Sequence, residues 1–358
     1  MTTEVEPPSE ASAPRGWAYL RLRGKAWLEF LLTAVAFFSL VFASLRLLPM
    51  QSPYPLAALE SETHWVALTA LLALITAWRL RAKRRAVALC VALLVLVPWC
   101  LEWTLTWAAA PEAPSAPVAR IRVMSSNLLA PRLSRDLARE IRDSDADVVL
   151  VQEASDEWWA LLEEEGVFTR YPHRIEETHS FRQDYMGIAI LSRLPIEASR
   201  IEPLANEDIP YARIDVQVAG LPLRLYSVHT LPPYYPSYLR IHLRQFAQLE
   251  RMAREDIDSG AFHAVILAGD FNATPTSHSY RVLREAGFIA AHERVGRGFA
   301  ITWPNGVFWL PPMRLDHLFI LEREANTTHV LSVREGVGGR SDHRPLFVDL
   351  AFSAGLTH

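Results

Sequence analysis

Apolar residues fall into two regimes along this chain. Between residues 26 and 107 they form long runs; between residues 120 and 352 they come in short runs broken by polar residues and turns. The first regime predicts membrane-spanning helices, the second a globular domain large enough to bury a full core.

Three long runs stand out. "AWLEFLLTAVAFFSLVFASLRLL", residues 26–48, exceeds the ~20 residues that cross a bilayer core. "HWVALTALLALITAWRL", 64–80, is shorter; Trp65 and Trp78 suit its two interfaces, and Arg79 can snorkel. "AVALCVALLVLVPWCLEWTLTW", 86–107, contains Pro98 and gathers Trp99, Trp103 and Trp107 at its far end. A buried core helix is the alternative for each. Arg15, Arg21, Arg23 and Lys25 precede the first run, "RLRAKRR" separates the second from the third, and the stretch between the first two holds Glu60 and Glu62 but no basic residue. Three spans put both basic clusters in the cytoplasm and the chain after residue 107 outside it. The expected organisation is a cytoplasmic tail (1–25), a membrane region (26–107), a Pro/Ala linker (108–119) and a globular domain (120–353).

In the second regime, "IRVMSSN" (121–127), "DVVLVQE" (147–153), "GIAILSR" (187–193), "ARIDVQV" (212–218), "LRLYSVH" (223–229), "AVILAGD" (264–270), "RLDHLFI" (314–320) and "PLFVDLAF" (345–352) read as strands. "AGLP" joins the fourth and fifth as a hairpin turn. Helical spacing appears at Leu133, Leu137 and Ile141. It appears again over 237–257, where Leu239, Leu243, Phe246, Leu249 and Met252 form one stripe. Gly287 stops a helix over "SYRVLREA". Sheets packed on each other with helices outside make this an α+β domain.

The strand ends carry the chemistry. Asn127, Glu153, His229, Asp270 with Asn272, Asp316, and Asp342 with His343 all lie at or beside an apolar strand. A single Asp there is ordinarily a turn residue and a single His a satisfied core residue; several together point to a site.

Composition narrows the options. Up to residue 110 there are ten basic and seven acidic residues, a net of +3; beyond it 26 basic and 33 acidic, a net of −7. An acidic domain is a poor non-specific binder of polyanions, although a local arginine-lined cleft would not show in the sum. The two cysteines, Cys90 and Cys100, lie in the third run, so the globular part has no disulfide framework and no thiolate zinc site.

"MSSNLL", "VVLVQEAS", "GIAILSRLP", "YSVHT", "AGDFNATP", "RLDHLFI" and "SDHRPLFVDL", in this order over residues 120–352, resemble the motif set of the endonuclease/exonuclease/phosphatase superfamily, the DNase I-like fold, in its membrane-anchored bacterial type. The resemblance implies a four-layer α/β sandwich of two packed mixed sheets, a site at one sheet edge, and metal-dependent hydrolysis of phosphate esters. Glu153, Asn127 and Asp342 are then the metal ligands, for Mg²⁺ with Mn²⁺ as substitute. Asp316 and His343 form a dyad in which the carboxylate fixes the imidazole tautomer, with His343 as general base or phosphate contact. Asp270 orients or deprotonates water, or protonates the leaving oxygen. Asn272 bonds a phosphoryl oxygen, and His229 is a second phosphate-facing histidine and candidate general acid. His317 reads as structural.

The substrate surface is open. "LPPYYPSYLRIHLRQF", 231–246, combines three tyrosines with Arg240 and Arg244, which suits stacked bases or a lipid interface, or nothing beyond a surface helix. "ITWPNGVFWLPPM", 301–313, walls the site or faces a bilayer. The expected partners are a lipid bilayer, through the N-terminal helices, and a phosphoester that is either nucleic acid or a lipid headgroup or small molecule. The expected location is a bacterial plasma membrane with the catalytic domain outside the cytoplasm. A catalytically silent binding protein on the same fold is the competing reading.

Overall fold

The computed structural model describes residues 15–48, 54–104, 117–180, 186–298 and 300–353. Trp107 and most of the 108–119 linker lie outside these residues, as do residues 1–14 of the tail. The chain divides into two units, Met1–Pro49 with His64–Val97, and Met50–Thr63 with Pro98–His358.

The first unit is built on helices α1 (Arg15–Arg46), α3 (Thr63–Arg79) and most of α4 (Lys83–Thr104); α2 (Leu56–Leu59) and a 3-10 turn over Glu60–Glu62, which precede α3 in the chain, belong to the second unit. The stretches Leu22–Arg46, Leu56–Arg79 and Lys83–Leu101 are long and apolar enough to cross a membrane. Small residues bring the helices close: Ala36, Ala70, Ala73 and Ala77 are buried with Leu32 and Leu89. Large apolar side chains such as Phe37, Leu72, Trp78 and Leu94 point outward.

In the second unit the chain runs β1 (Ala119–Asn127), α5 (Arg135–Arg142), β2 (Val148–Gln152), α6 (Asp156–Glu164), α7 (Val167–Arg170), β3 (His173–Glu177), β4 (Ile188–Ser192), β5 (Ala198–Pro203), β6 (Pro210–Val218) and β7 (Leu221–His229). It continues through α8 (Pro236–Asp258), β8 (Ala264–Asp270), α9 (His278–Glu285), β9 (Ile289–Ala290), α10 (Ala291–Arg294), β10 (Asp316–Glu322), β11 (Thr328–Glu335) and β12 (Leu346–Phe352). Two mixed six-stranded sheets result, ordered β11-β12-β1-β2-β4-β3 and β5-β6-β7-β8-β10-β9. All eight expected strands are present. The hairpin between β6 and β7 turns on Ala219 and Gly220, both at positive φ, which suits the right-handed twist of its strands.

Each strand's burial follows from its layer. Ile121, Val123, Leu150 and Ile190 of the first sheet meet Ile214, Leu225, Ile266 and Leu318 of the second in the central core. Outside the first sheet, Leu137, Ile141, Trp158 and Leu162 cover Met124, Val149 and Val151. Outside the second, Phe246, Leu249 and Tyr280 cover Val228, Leu267 and Phe319. The central strands are therefore apolar on both faces, and the domain is the expected four-layer sandwich.

The α8 stripe is rotated from the expected one. Leu243 is half-buried, while His242 and Gln245 are buried. His242 bonds the Leu231 carbonyl through Nδ1 at 2.8 Å and Ser279 Oγ through Nε2 at 3.0 Å, and Gln245 Oε1 accepts from Leu231 N–H at 2.8 Å. His242, with both ring nitrogens bonded, and Gln245, bonded through its oxygen, thus displace leucine from the core face. They fix the chain just after His229.

Two predictions follow from this packing. Gly269 has φ +152, and a Cβ there would lie 1.8 Å from the Val228 carbonyl oxygen on the neighbouring strand. Backbone cannot yield as a side-chain tip can. Gly269→Ala should destabilise the domain by at least about 3 kcal/mol, read from thermal melts. Burial holds the His242 ring down to about 4, and burial with the Arg314 charge does the same to His292. The unfolded chain takes up these protons near pH 6.5, so stability is full above that pH and declines as pH falls towards about 4, by up to about 3 kcal/mol per ring. Melts across this window should show the slope, and His242→Gln should remove about one proton from it.

Candidate active site

Strand register assembles the site. In the second sheet, β7 and β8 are parallel with His229 beside Asp270, and β8 and β10 are antiparallel with Asp316 beside Asp270. Three polar strand ends therefore lie abreast. In the first sheet, β1 ends on Asn127 opposite Gln152 of β2. The two ends meet across a polar layer: Gln152 Nε2 donates to Ser227 Oγ at 3.0 Å, and Ser125 Oγ donates to Gln152 Oε1 at 3.3 Å. Gln152 is fully buried, so these bonds satisfy it and pin the sheets together under the site.

Asp270 is the hub, 2% exposed. Its Oδ1 accepts from Asn272 N–H at 2.9 Å, and its Oδ2 accepts from Asn127 Nδ2 at 3.1 Å. His343 Nε2 stands 3.5 Å from Oδ2 and His229 Nε2 3.7 Å from it. Burial raises the Asp270 pKa, and Asp316 adds to this while the histidines oppose it.

The dyad is present: His343 Nδ1 and Asp316 Oδ2 are 2.8 Å apart. Burial alone would lower the His343 pKa, but the charges of Asp316 and Asp270, with the Asp316 hydrogen bond, raise it to about 10. Ser341 Oγ accepts from His343 N–H at 3.1 Å and donates to the Asn127 carbonyl at 2.7 Å, tying the "SDH" loop to the end of β1. Two buried atoms in the cluster, Asp316 Oδ1 and His229 Nδ1, have no hydrogen-bond partner among the described residues. Ligating atoms of Asp270, Asp316 and His343 lie within 4.8 Å of one another.

The remaining expected residues surround this cluster. Glu153 lies just past β2 at φ +53, a left-handed conformation that non-glycine residues seldom adopt. That turn aims its carboxylate: Oε1 accepts from Asn127 Nδ2 at 3.0 Å and Oε2 from Ala130 N–H at 3.2 Å. Asn127 turns its amide nitrogen towards Glu153 and Asp270, and its oxygen accepts from Leu129 N–H at 3.0 Å. It links two carboxylates in this arrangement. Asn272, at φ +45, donates through Nδ2 to the Thr230 carbonyl at 2.8 Å, so it ties the loop after β8 to the loop after β7. Asp342 accepts from Trp303 Nε1 at 3.2 Å through Oδ2 and from Asn305 N–H at 2.6 Å through its carbonyl. His317 is buried with Nε2 on the Ala273 carbonyl at 2.7 Å, a structural role.

Arg244 pairs with Glu207 and Arg240 lies exposed on α8, and neither has a contact with the cluster among the described residues. Sequence reasoning missed Ser341, Trp303 and Gln152, which act on the site through other residues. The serine of "SDH" and the place of Trp303 in the 301–313 loop are the legible signals among them.

The sequence and the fold match known proteins. The Endonuclease/Exonuclease/phosphatase family description matches residues 124–343. Comparison with curated proteins gives no match. Among solved structures, a truncated TDP2 from Caenorhabditis elegans superposes with TM-score 0.52 at 18% identity, covering 65% of this chain and 98% of that one. An endonuclease/exonuclease/phosphatase from Beutenbergia cavernae gives 0.51 at 17% identity, covering 67% and 73%. TDP2 from D. rerio, complexed with single-strand DNA product, gives 0.51 at 18% identity, covering 64% and 98%. The chain belongs to the endonuclease/exonuclease/phosphatase family, a family of phosphoester hydrolases, and carries its DNase I-like fold.

Proposed function

We propose that this protein is a membrane-anchored, Mg²⁺-dependent phosphoesterase that cleaves a phosphate ester by in-line attack of water. One observation carries the reading: His229, Asp270, Asp316 and His343 converge at the ends of adjoining strands and of the loop before β12, with buried polar atoms left for a ligand to satisfy.

The residues fit a hard cation. Glu153 has both oxygens on N–H donors and keeps further lone pairs, and no thiolate stands near. Its partner ligand is Asp342. Asp316 and His343 fit a metal less well, because each already spends an atom on the other. Glu153 and Asp342 would hold Mg²⁺, which would supply neutralisation of the phosphoryl charge when bound.

The protein's own groups supply the rest. Asp316 holds Nδ1 of His343, which frees Nε2 to donate to a phosphoryl oxygen. Asp270 lies within reach of both histidines, orients the attacking water and takes its proton. His229, in its protonated form, gives a proton to the leaving oxygen. Asn127 and Asn272 hold the carboxylates and loops in place.

The anchor consists of the three apolar helices, with the catalytic unit outside the cytoplasm by the arginine and lysine bias. A lipid headgroup or small phosphoester is the favoured substrate over nucleic acid, because Arg244 is engaged by Glu207 and the domain is net negative.

Full-length protein in detergent, assayed with Mg²⁺ on headgroup phosphodiesters, inositol phosphates, plasmid DNA and single-stranded RNA, tests the reading. Hydrolysis should vanish with EDTA and return with Mg²⁺. Asp270→Ala and His343→Ala should each lower turnover by at least about 10²-fold. Wild-type turnover in either variant refutes the assignment. A reporter fused after residue 358 that works only outside the cytoplasm should be active, and a well-expressed but silent fusion overturns the orientation.

A further inference from the structure

Residues 54–63 belong to the globular unit and are bonded to loops at its site edge. The buried Glu60 carboxylate accepts from His278 N–H at 2.8 Å, at the start of α9. The Glu60 carbonyl accepts from Thr276 Oγ1 at 2.6 Å, and the Ser61 carbonyl from Thr274 Oγ1 at 3.4 Å. Tyr54 Oη donates to the Tyr234 carbonyl at 2.9 Å. These partners follow His229 on β7 and Asp270 on β8. Thr63 opens α3 two residues after Ser61, at most about 7 Å of chain. Close to the end of α4, the Trp99 ring lies 4.3 Å under the guanidinium of Arg281, on α9. The globular unit is thus tied near this edge to the chain where α3 begins and where α4 ends.

The same edge carries the exposed apolar surface of the globular unit. Leu133 follows β1, Tyr234 and Tyr235 follow β7, Phe308 and Trp309 precede β10, and Val337 precedes β12; all are exposed, Phe308 by 92% and Trp309 by 72%. Those strand ends and loops are the ones that hold Asn127, His229, Asp316 and His343. Among the described residues beyond Thr104, Val118 is the one exposed large apolar side chain at the opposite edge. Backbone bonds fix the 301–313 loop at its base: Met313 N–H donates to the Trp303 carbonyl at 2.6 Å, and Asn305 Nδ2 donates to the Val337 carbonyl at 2.9 Å. Apolar residues scattered singly over a surface need no explanation, but a set confined to one edge does. Tyrosine and tryptophan rings suit a headgroup layer, where one end is apolar and the other wet.

We propose that this edge is seated on the bilayer surface, so that the site takes its phosphoester from the lipid layer. The tie of residues 54–63 beside α3 brings the layer to this edge, and the exposed aromatic rings enter it. A phosphoester carried on a lipid then reaches the site directly, and a polynucleotide in solution is shut out by the layer itself. This inference rests on the apolar helices as spans and on the phosphoesterase reading above.

The test uses full-length protein in phosphatidylcholine nanodiscs, with Cys90 and Cys100 replaced by alanine and a bimane label attached through Tyr235→Cys, Trp309→Cys or Ala219→Cys. Ala219 lies at the other end of the nine-residue β7, about 30 Å of strand away. A nitroxide carried on the lipid headgroup should quench the labels at 235 and 309 and spare the one at 219. Equal quenching at all three, or quenching at 219 alone, overturns the seating. Unquenched labels at 235 and 309 overturn it too, and a dimer cross-linked through those positions then assigns the edge to a second copy. Function is read with Mg²⁺ on two chromogenic diesters, hexadecyl p-nitrophenyl phosphate in the nanodisc and bis(p-nitrophenyl) phosphate in solution. Phe308→Ser combined with Trp309→Ser should lower the ratio of bilayer to soluble hydrolysis about tenfold, the loss expected for apolar rings withdrawn from an interface. An unchanged ratio overturns the lipid route. Quenching at 235 and 309 in a protein that hydrolyses neither ester overturns the phosphoesterase reading and leaves the seating standing.

Discussion

The buried carboxylate of Asp270 is the constraint around which the catalytic unit is arranged. An isolated charge in that position would be expelled or neutralised. It is kept by a backbone N–H from Asn272, an amide from Asn127 and two histidines within 4 Å. Those partners come from β1, β7, the turn after β8 and the loop before β12. Both sheets must therefore be in register before the charge is compensated. Gly269 serves the same end. Without a side chain it lets β7 and β8 close tightly enough to set His229 beside Asp270. Site and fold are two descriptions of one set of hydrogen bonds.

Strain supports this arrangement at its edges. Glu153 and Asn272 both occupy left-handed backbone, as does Leu129, whose N–H holds the Asn127 oxygen. Such conformations persist only where the surroundings over-determine them, and they gather at functional sites. Here each aims a polar group that a regular strand or turn would have directed elsewhere.

Much of this was legible in the sequence because apolar strands announce themselves and polar residues at their ends are anomalous. The eight expected strands and the presence of His229, Asp270, Asp316 and His343 at or beside strand ends could be read directly, and the four layers followed from the family resemblance. Other features depend on tertiary context. Alternation with Val149 and Val151 suggests an inward Glu153, yet every residue of β2 is buried, and the carboxylate reaches the site through its φ of +53. β3, β5 and β11 are polar or mixed edge strands and carry little hydrophobic signal. The α8 stripe ran through Leu243 because no periodicity rule foresees that His242 and Gln245 will find partners inside. The amide of Asn127 could be placed, but not which of its two ends faces the carboxylates.

The contacts of residues 54–63 bear on how such a protein divides into parts. Sequence segmentation assigns this stretch to the membrane region because it lies between two apolar helices. Its polar groups instead satisfy the catalytic unit, down to a buried Glu60 carboxylate on the first N–H of α9, where the helix dipole favours negative charge. Excising the globular domain at the Pro/Ala linker would remove the acceptors that Glu60 and Ser61 offer to His278 N–H, Thr276 and Thr274, and the bond from Tyr54 to the Tyr234 carbonyl. An anchor that merely tethered the domain would leave those groups satisfied by the domain itself. That they are satisfied from between the helices makes residues 54–63 structurally part of the globular unit, although in the sequence they lie between two apolar helices.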